Sequence, residues 1–223
     1  MKYLIAAVAT LIIVVLIVRK VFNYSYGKTS CGVVIILNGP SSSGKSTIQR
    51  EFQYLMMPEL WIKLGIDTLF DQPMPDIQGD NLSFWQTPNK IRWVDSAHDA
   101  DHNAIITLCT GQEGEKVAYG MNSAIAAYAK EGCNVIVDYI AYKKEWLNDL
   151  HDKLKNIKTY WIKVNIPLHV LEEREVARGT SPKGHARSHY DSVHWDIKYD
   201  FEVHSDQEDA AEIAQRIKKF LNL

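Results

Sequence analysis

At 223 residues the chain holds about one domain's worth of material. Its 46% hydrophobic and 10% aromatic residues, against 12 Gly and 7 Pro, exclude the disordered and fibrous classes. The formal charge of −2 hides an asymmetry: residues 1–22 hold Lys2, Arg19 and Lys20 and no acid, which leaves 22 Lys+Arg against 27 Asp+Glu beyond them. An acidic body lacks the basic footprint of a non-specific nucleic-acid binder, so nucleic acid is not expected as a partner.

The first element in chain order is the uncharged run Tyr3–Val18, 16 residues flanked by Lys2 before and by Arg19 and Lys20 after. At 1.5 Å per residue it spans ~24 Å, and continuing to Phe22 brings it near the ~30 Å hydrocarbon thickness. The run meets basic residues and then Phe22, Tyr24 and Tyr26 rather than a small-residue cleavage site, so a retained transmembrane anchor over 1–22 is expected. The heavier positive flank is C-terminal, which places the body on the cytoplasmic side of a single-pass membrane protein. An export signal or a buried N-terminal helix is the alternative. Residues 23–32 read as a linker and 33–223 as the catalytic domain.

Val33–Leu37 is a continuous β-branched run of the kind that is buried on both faces of a sheet. Apolar stretches recur at Trp61–Ile66, Val135–Val137, Tyr160–Val164 and, more weakly, Phe201–Val203, with room for a helix between each. That alternation predicts an α/β fold with a parallel sheet of about five strands flanked by helices. Helices are expected at Lys116–Lys130, closed by Gly132, at Glu145–Leu154, and at the C-terminus, where Ser205-Asp-Gln-Glu208 has the capping-box pattern before Ala210, Ile213, Ala214, Ile217 and Leu221. Residues 70–102 carry no clear period. Cys31, Cys109 and Cys133 form no CxxC or metal-ligand spacing and read as reduced, structural thiols.

Gly39-Pro40-Ser41-Ser42-Ser43-Gly44-Lys45-Ser46, followed by Thr47, fits G-x-x-x-x-G-K-[ST] between the first strand and a helical stretch, Thr47–Leu55. Small residues there let successive backbone N–H groups converge on phosphate oxygens, and the helix N-terminus adds its positive end. Lys45 is placed to reach the β- and γ-phosphates of ATP, and Ser46 to ligate Mg²⁺. A loop of this kind specifies a nucleotide, not a reaction. The guanine-reading N-K-x-D is absent, since Asn89-Lys90 is followed by Ile91-Arg92, and the size favours a small-molecule kinase over motor ATPases.

Several further blocks carry a family likeness. Ile35–Gly39 leads into Ser42–Ser46; then come Leu64-Gly-Ile-Asp67-Thr-Leu69, Asn134–Asp138, Leu171-Glu-Glu-Arg174-Glu175-Val-Ala-Arg178-Gly179, and Val193-His194 with Tyr199–Val203. In this order they resemble the chloramphenicol phosphotransferase-like proteins, P-loop NTPase-fold relatives of nucleotide and shikimate kinases. The resemblance implies ATP-dependent phosphorylation of a hydroxyl on a small molecule, with Asp67 in the place of the family's catalytic aspartate. Asp67 ends the second strand, where open α/β sheets gather ligands, and can take the acceptor's proton; capping the next helix is the alternative. Asp138 ends the Val135–Val137 strand and can hold Mg²⁺ through water or position the acceptor, or else cap a helix.

Arg174 and Arg178 lie four apart on one helix face before the 179–187 segment, which the resemblance makes a lid whose arginines neutralise phosphoryl charge. Surface pairing with Glu173 or Glu175 is the bland alternative. The chain departs from the family pattern with Thr180-Ser181 after Arg178-Gly179, and Arg187 or Lys183 are candidate substitutes. His194 reads as structural or as an acceptor contact. Asp95, His98, Asp99, Asp101 and His102 read as a polar loop rather than a zinc site, and Trp61, Trp85, Trp93, Tyr139 and Tyr142 as core with some apolar lining for the acceptor. A toxin-type sugar-nucleotide kinase and a nucleotide-binding membrane adaptor without transfer remain as alternative functions.

Overall fold

The computed structural model describes residues 30–76, 83 and 87–223. Five strands build one parallel sheet in the order β2-β5-β1-β6-β7: β1 Val34–Asn38, β2 Trp61–Gly65, β5 Asn134–Tyr139, β6 Thr159–Asn165 and β7 Phe201–His204. All five are the stretches that hydrophobic pattern predicts. The register runs Val34 against Val135 on one side of β1 and against Thr159 on the other. β1 sits at the centre with every residue buried, as a two-sided apolar run requires.

The helices cover both faces. On one, α1 (Lys45–Met56) and the C-terminal α6 (Ala210–Leu221) close over Ile35, Leu37, Ile136, Ile162 and Val164 with Ile48, Phe52, Ile213 and Ile217. On the other, α2 (Gly111–Lys130) and α3 (Lys144–Leu154) cover Val34, Ile36, Val135 and Val137 with Met121, Ile125, Trp146 and Leu150. Each such buried side chain contributes roughly 1.5–3 kcal/mol of transfer free energy. α4 (Leu168–Arg178) and a single turn α5 (His185–Ser188) lie between β6 and β7.

Between β2 and α2 the chain makes one π-helical turn, Asp67–Asp71, and an antiparallel hairpin, β3 (Arg92–His98) with β4 (Ala104–Cys109). This hairpin has no counterpart in the sequence expectation. The connection leaving β1 runs to one side of the sheet and the one leaving β6 to the other, so a crevice opens at the C-terminal ends of these adjacent strands.

One expectation does not hold. The transmembrane helix predicted over 1–22 lies outside the described residues, and among the described residues no helix is long and apolar enough to cross a membrane. The longest, α2, has the 20 residues needed but is two-sided: Ala118, Met121, Ile125 and Ala129 are buried while Glu113, Lys116 and Lys130 face solvent. The fold supported is α/β with a parallel five-stranded sheet flanked by helices. Neither the membrane-spanning helix nor the single-pass, cytoplasm-facing localisation built on it is supported.

Candidate active site

The loop from Gly39 to Ser46 joins the C-terminal end of β1 to α1 at the sheet's crevice. Gly44 adopts φ 89°, a left-handed conformation that L side chains rarely take, and this turns the chain so that α1 begins at Lys45. Ser42 also has positive φ, at 65°. Lys45 is buried and its Nζ donates to Pro40 O at 2.7 Å and lies 3.3 Å from Ser43 Oγ. Ser42 Oγ is buried without a hydrogen-bond partner, while Ser46 and Thr47 face a groove of about 510 Å³. A buried hydroxyl without a protein partner, in a loop with a buried lysine, fits a phosphate oxygen.

Asp138 enters from the neighbouring strand β5 and Asp67 from the turn that follows β2. Asp138, in β5, is buried and places Oδ1 3.5 Å from Lys45 Nζ, an ion pair too long to be a well-formed hydrogen bond. Burial pushes the Lys45 ammonium below its ordinary pKa and the Asp138 carboxyl above it, and their mutual attraction opposes both shifts. Asp138 caps no helix, since α3 begins only at Lys144. Its open oxygen, beside the loop that carries Ser46, fits a hydrated divalent cation. Gly65 makes the approach possible: a Cβ there would stand 2.9 Å from Asp138 O and 3.0 Å from Asp138 Cβ.

Asp67 follows Gly65 by two residues and opens the π-helical turn without capping it; Thr68 Oγ1, bonded to Gly65 N and O, fixes the local turn instead. The Asp67 carboxylate lies 3.5 Å from Arg178 Nη2, with side-chain exposures of 56% and 43%. A pair that exposed contributes little to stability, so both groups stay accessible to a ligand. Asp67 and Arg178 also act electrostatically on Lys45 and Asp138. The four residues therefore share one locality.

Arg174 is placed differently from Arg178. Its Nη2 donates to Ser205 O at 2.7 Å and its Nη1 to Ser205 Oγ at 3.3 Å, beyond the end of β7. With Gly44, Thr47, Asp209 and Ile213 it lines the 510 Å³ groove beside the phosphate loop. Neither arginine is tied to Glu173 or Glu175. Of the candidate substitutes, Arg187 is engaged by Glu172 and Asp99, and Lys183 lines a separate cavity of about 700 Å³ on the far side of α4.

Three residues of this region escape sequence reasoning. Glu175 is buried and accepts the N–H groups of Gly184 and Ala186, at 2.8 and 2.6 Å, so it fixes the segment after α4 to the helix that carries Arg178. His185 and His189, four apart across α5, are buried beside Tyr142, whose hydroxyl is 2.9 Å from His185 Nε2. Their i,i+4 spacing was the available signal. Burial lowers the His185 pKa to about 4 and the His189 pKa well below the ordinary value; it raises that of Tyr142, with Asp67 and Asp138 adding to the rise.

The remaining candidates scatter. His194 is structural: Nδ1 meets Tyr199 OH at 2.8 Å, that hydroxyl accepts from Asn38 Nδ2, and burial lowers the imidazole pKa to about 4. Asp99 organises the β3–β4 turn by accepting from Asp101 N and Asn103 N, and no metal-type cluster of three gathers among the described residues. Trp61 packs on Phe52 in the core, Tyr139 bonds Asn122, and Trp93 stands edge-on to His185 at 4.2 Å. Trp85 lies outside the described residues.

With this geometry in place, comparison with known proteins gives a consistent result. The sequence profile of the chloramphenicol phosphotransferase-like protein family matches residues 32–222. A Mycobacterium tuberculosis (strain H37Rv) protein provisionally named an O-phosphotransferase is 32% identical over 186 residues, covering 83% of this chain and 80% of that protein. The APS kinase of M. tuberculosis, solved in complex with AMPPNP and APS, aligns over 86% of this chain and 99% of its own with a TM-score of 0.53 and 16% identity. Shikimate kinase of Acinetobacter baumannii in complex with shikimate aligns over 87% and 95% with a TM-score of 0.51 and 13% identity. At those identities the structural likeness speaks for the fold.

Proposed function

The chain belongs to the chloramphenicol phosphotransferase-like protein family and is a P-loop kinase, and from that premise we propose that it moves the γ-phosphoryl group of ATP to a hydroxyl of a small molecule. The observation that carries this reading is the gathering of Asp67, Arg178, Lys45 and Asp138 over the loop. A nucleotide-binding module needs the loop alone; an exposed carboxylate facing a guanidinium at the strand ends is what transfer to an alcohol requires in addition.

Each residue then has a task. Backbone amides of the Gly39–Thr47 loop other than Pro40, which has no N–H, and Ser41, whose N–H is taken by His189, hold the triphosphate with the Lys45 ammonium, Arg174 and Ser205 border the rest of the nucleotide, and Arg178 neutralises charge on the departing phosphoryl group. Asp67 accepts the acceptor's hydroxyl proton as its oxygen forms the new bond to phosphorus and the bond to the ADP oxygen breaks. Ser46 and Asp138 would hold Mg²⁺, which would supply electrostatic screening of the phosphate oxygens. Buried Asp138 serves as a ligand or positioner, since its raised pKa and its partner Lys45 leave Asp67 as the carboxylate open to the acceptor.

The test is incubation of the protein with γ-labelled ATP, Mg²⁺ and a panel of hydroxyl-bearing metabolites and antibiotics, with chloramphenicol as one member, followed by mass analysis. The expected product is one compound heavier by a phosphoryl group and carrying the label. Release of labelled inorganic phosphate alone, with no labelled organic product, contradicts an alcohol acceptor.

A further inference from the structure

The phosphate loop is also held from the opposite end of the chain. Ser41 N donates to His189 Nε2 at 3.0 Å across 148 residues, and His189 is itself only 4% exposed. An amide nitrogen can only donate, so Nε2 must carry the lone pair and the ring proton must sit on Nδ1. Nδ1 lies 3.3 Å from Ser188 Oγ, and the hydrogen of that hydroxyl is already directed to His185 O at 2.7 Å. The series therefore has one sense: Ser41 N–H to His189, His189 Nδ1–H to Ser188, Ser188 O–H to His185 O.

Ser41 N–H belongs to the same peptide plane as Pro40 C=O, and that carbonyl accepts the Lys45 ammonium at 2.7 Å. Rotation of this one plane would move both the amide and the lysine's anchor. Planarity of the peptide makes the two ends inseparable. The far side is just as firmly tied: Glu175, three residues before Arg178 on α4, holds Gly184 and Ala186 at the start of α5, and α5 leads directly into Ser188 and His189. Arg178 faces Asp67 from that same helix.

We infer that His189 is a positioning residue: by accepting the Ser41 N–H it sets the Pro40–Ser41 peptide plane, and through it the place of Lys45, in register with the helix that bears Arg178. His189 touches no reacting atom. Its effect passes through the lysine that binds the nucleotide phosphates, so the inference rests on the phosphoryl-transfer reading for its activity readout but not for its structural one.

The test compares His189→Gln, whose side-chain oxygen can accept the same N–H, with His189→Leu, which has no acceptor. Calorimetric titration with AMPPNP and Mg²⁺ should show affinity weakened about tenfold in the Leu variant and kept within about threefold of wild type in the Gln variant, the scale of one lost hydrogen bond to a buried group. The KM for ATP should rise in the Leu variant while the KM for the acceptor stays unchanged. Should the Leu variant fail to fold, Ser188→Ala, which removes the partner of Nδ1–H together with that hydroxyl's own bond to His185 O, should weaken the nucleotide about threefold. Wild-type affinity in folded His189→Leu or Ser188→Ala, or equal losses in the Gln and Leu variants, would overturn the inference. Nitrogen NMR of the ring gives a readout independent of nucleotide: the Nδ1–H tautomer is expected and the Nε2–H tautomer contradicts it. A wild-type protein that binds no nucleotide at all would instead strike the kinase reading.

Discussion

Asp67 and Asp138 are both strand-end carboxylates, yet their surroundings divide them. Asp138 is buried against a buried lysine, and desolvation favours its neutral form; Asp67 is more than half exposed and faces an arginine. Asparagine at 67 keeps the size and polarity of the side chain but cannot take a proton, and because Asp67 caps nothing, the substitution removes the base and its exposed ion pair with Arg178 without removing a helix cap. At this scale the residues that the loop motif and the family resemblance single out lie together: the loop, Asp67, Asp138 and the two arginines occupy one region. It was not legible for Glu175 and His189, whose partners are backbone amides that no side-chain pattern announces. Nor did it separate Arg174, held at Ser205, from Arg178, held at Asp67.

Elements defined by burial on two faces were the readable ones. β1, β5 and β6 are apolar because helices cover both of their surfaces, and that constraint writes itself into composition. The β3–β4 hairpin escaped because its first strand is largely exposed and carries Asp95, Ser96 and His98 with no continuous apolar stripe, so the apolar, half-buried run of β4 had no recognisable partner. The C-terminal helix shows a subtler miss. Its capping box was expected at Ser205 to Glu208 but forms at Asp209 and Glu212, because Ser205 N still bonds Asn165 O and its carbonyl receives Arg174. Asp209 Oδ1 accepts Glu212 N at 2.8 Å and Glu212 Oε2 accepts Asp209 N at 3.2 Å. Asp209→Ala should therefore cost about 1 kcal/mol, lowering the thermal midpoint by about 2–4 °C; the matching substitution Ser205→Ala should leave α6 capped. A calorimetric scan checks the first, and an unchanged midpoint contradicts the assignment.

For the whole molecule, the buried imidazoles tie folding to pH. Burial disfavours the charged forms of these rings, lowering the pKa of His185 and His194 to about 4 and that of His189 well below its ordinary value, whereas the unfolded chain protonates its histidines near pH 6.5. Between those limits the unfolded state binds protons that the native state refuses, so stability falls as pH falls, by up to about 1.4 kcal/mol per pH unit for each withheld proton, less for the partly exposed His194. The raised pKa of Asp138 works in the opposite sense at the acid end, where the native state takes its proton first. Thermal scans from pH 7 to pH 5 should show a falling midpoint; a flat or rising one contradicts neutral burial of these rings. The same architecture that buries them sets the phosphate loop at the crevice of the sheet, near Asp138 of β5, Asp67 of the turn after β2 and the helix that bears Arg178.

Single-turnover transfer of labelled phosphoryl from ATP to the acceptor, measured for wild type and Asp67→Asn alongside nucleotide affinity, tests this most directly. The expected result is a rate about 10²–10⁴-fold lower in the variant with nucleotide affinity within about threefold of wild type. Transfer at the wild-type rate by Asp67→Asn would contradict the assignment of Asp67 as the base and with it the proposed route from ATP to the alcohol.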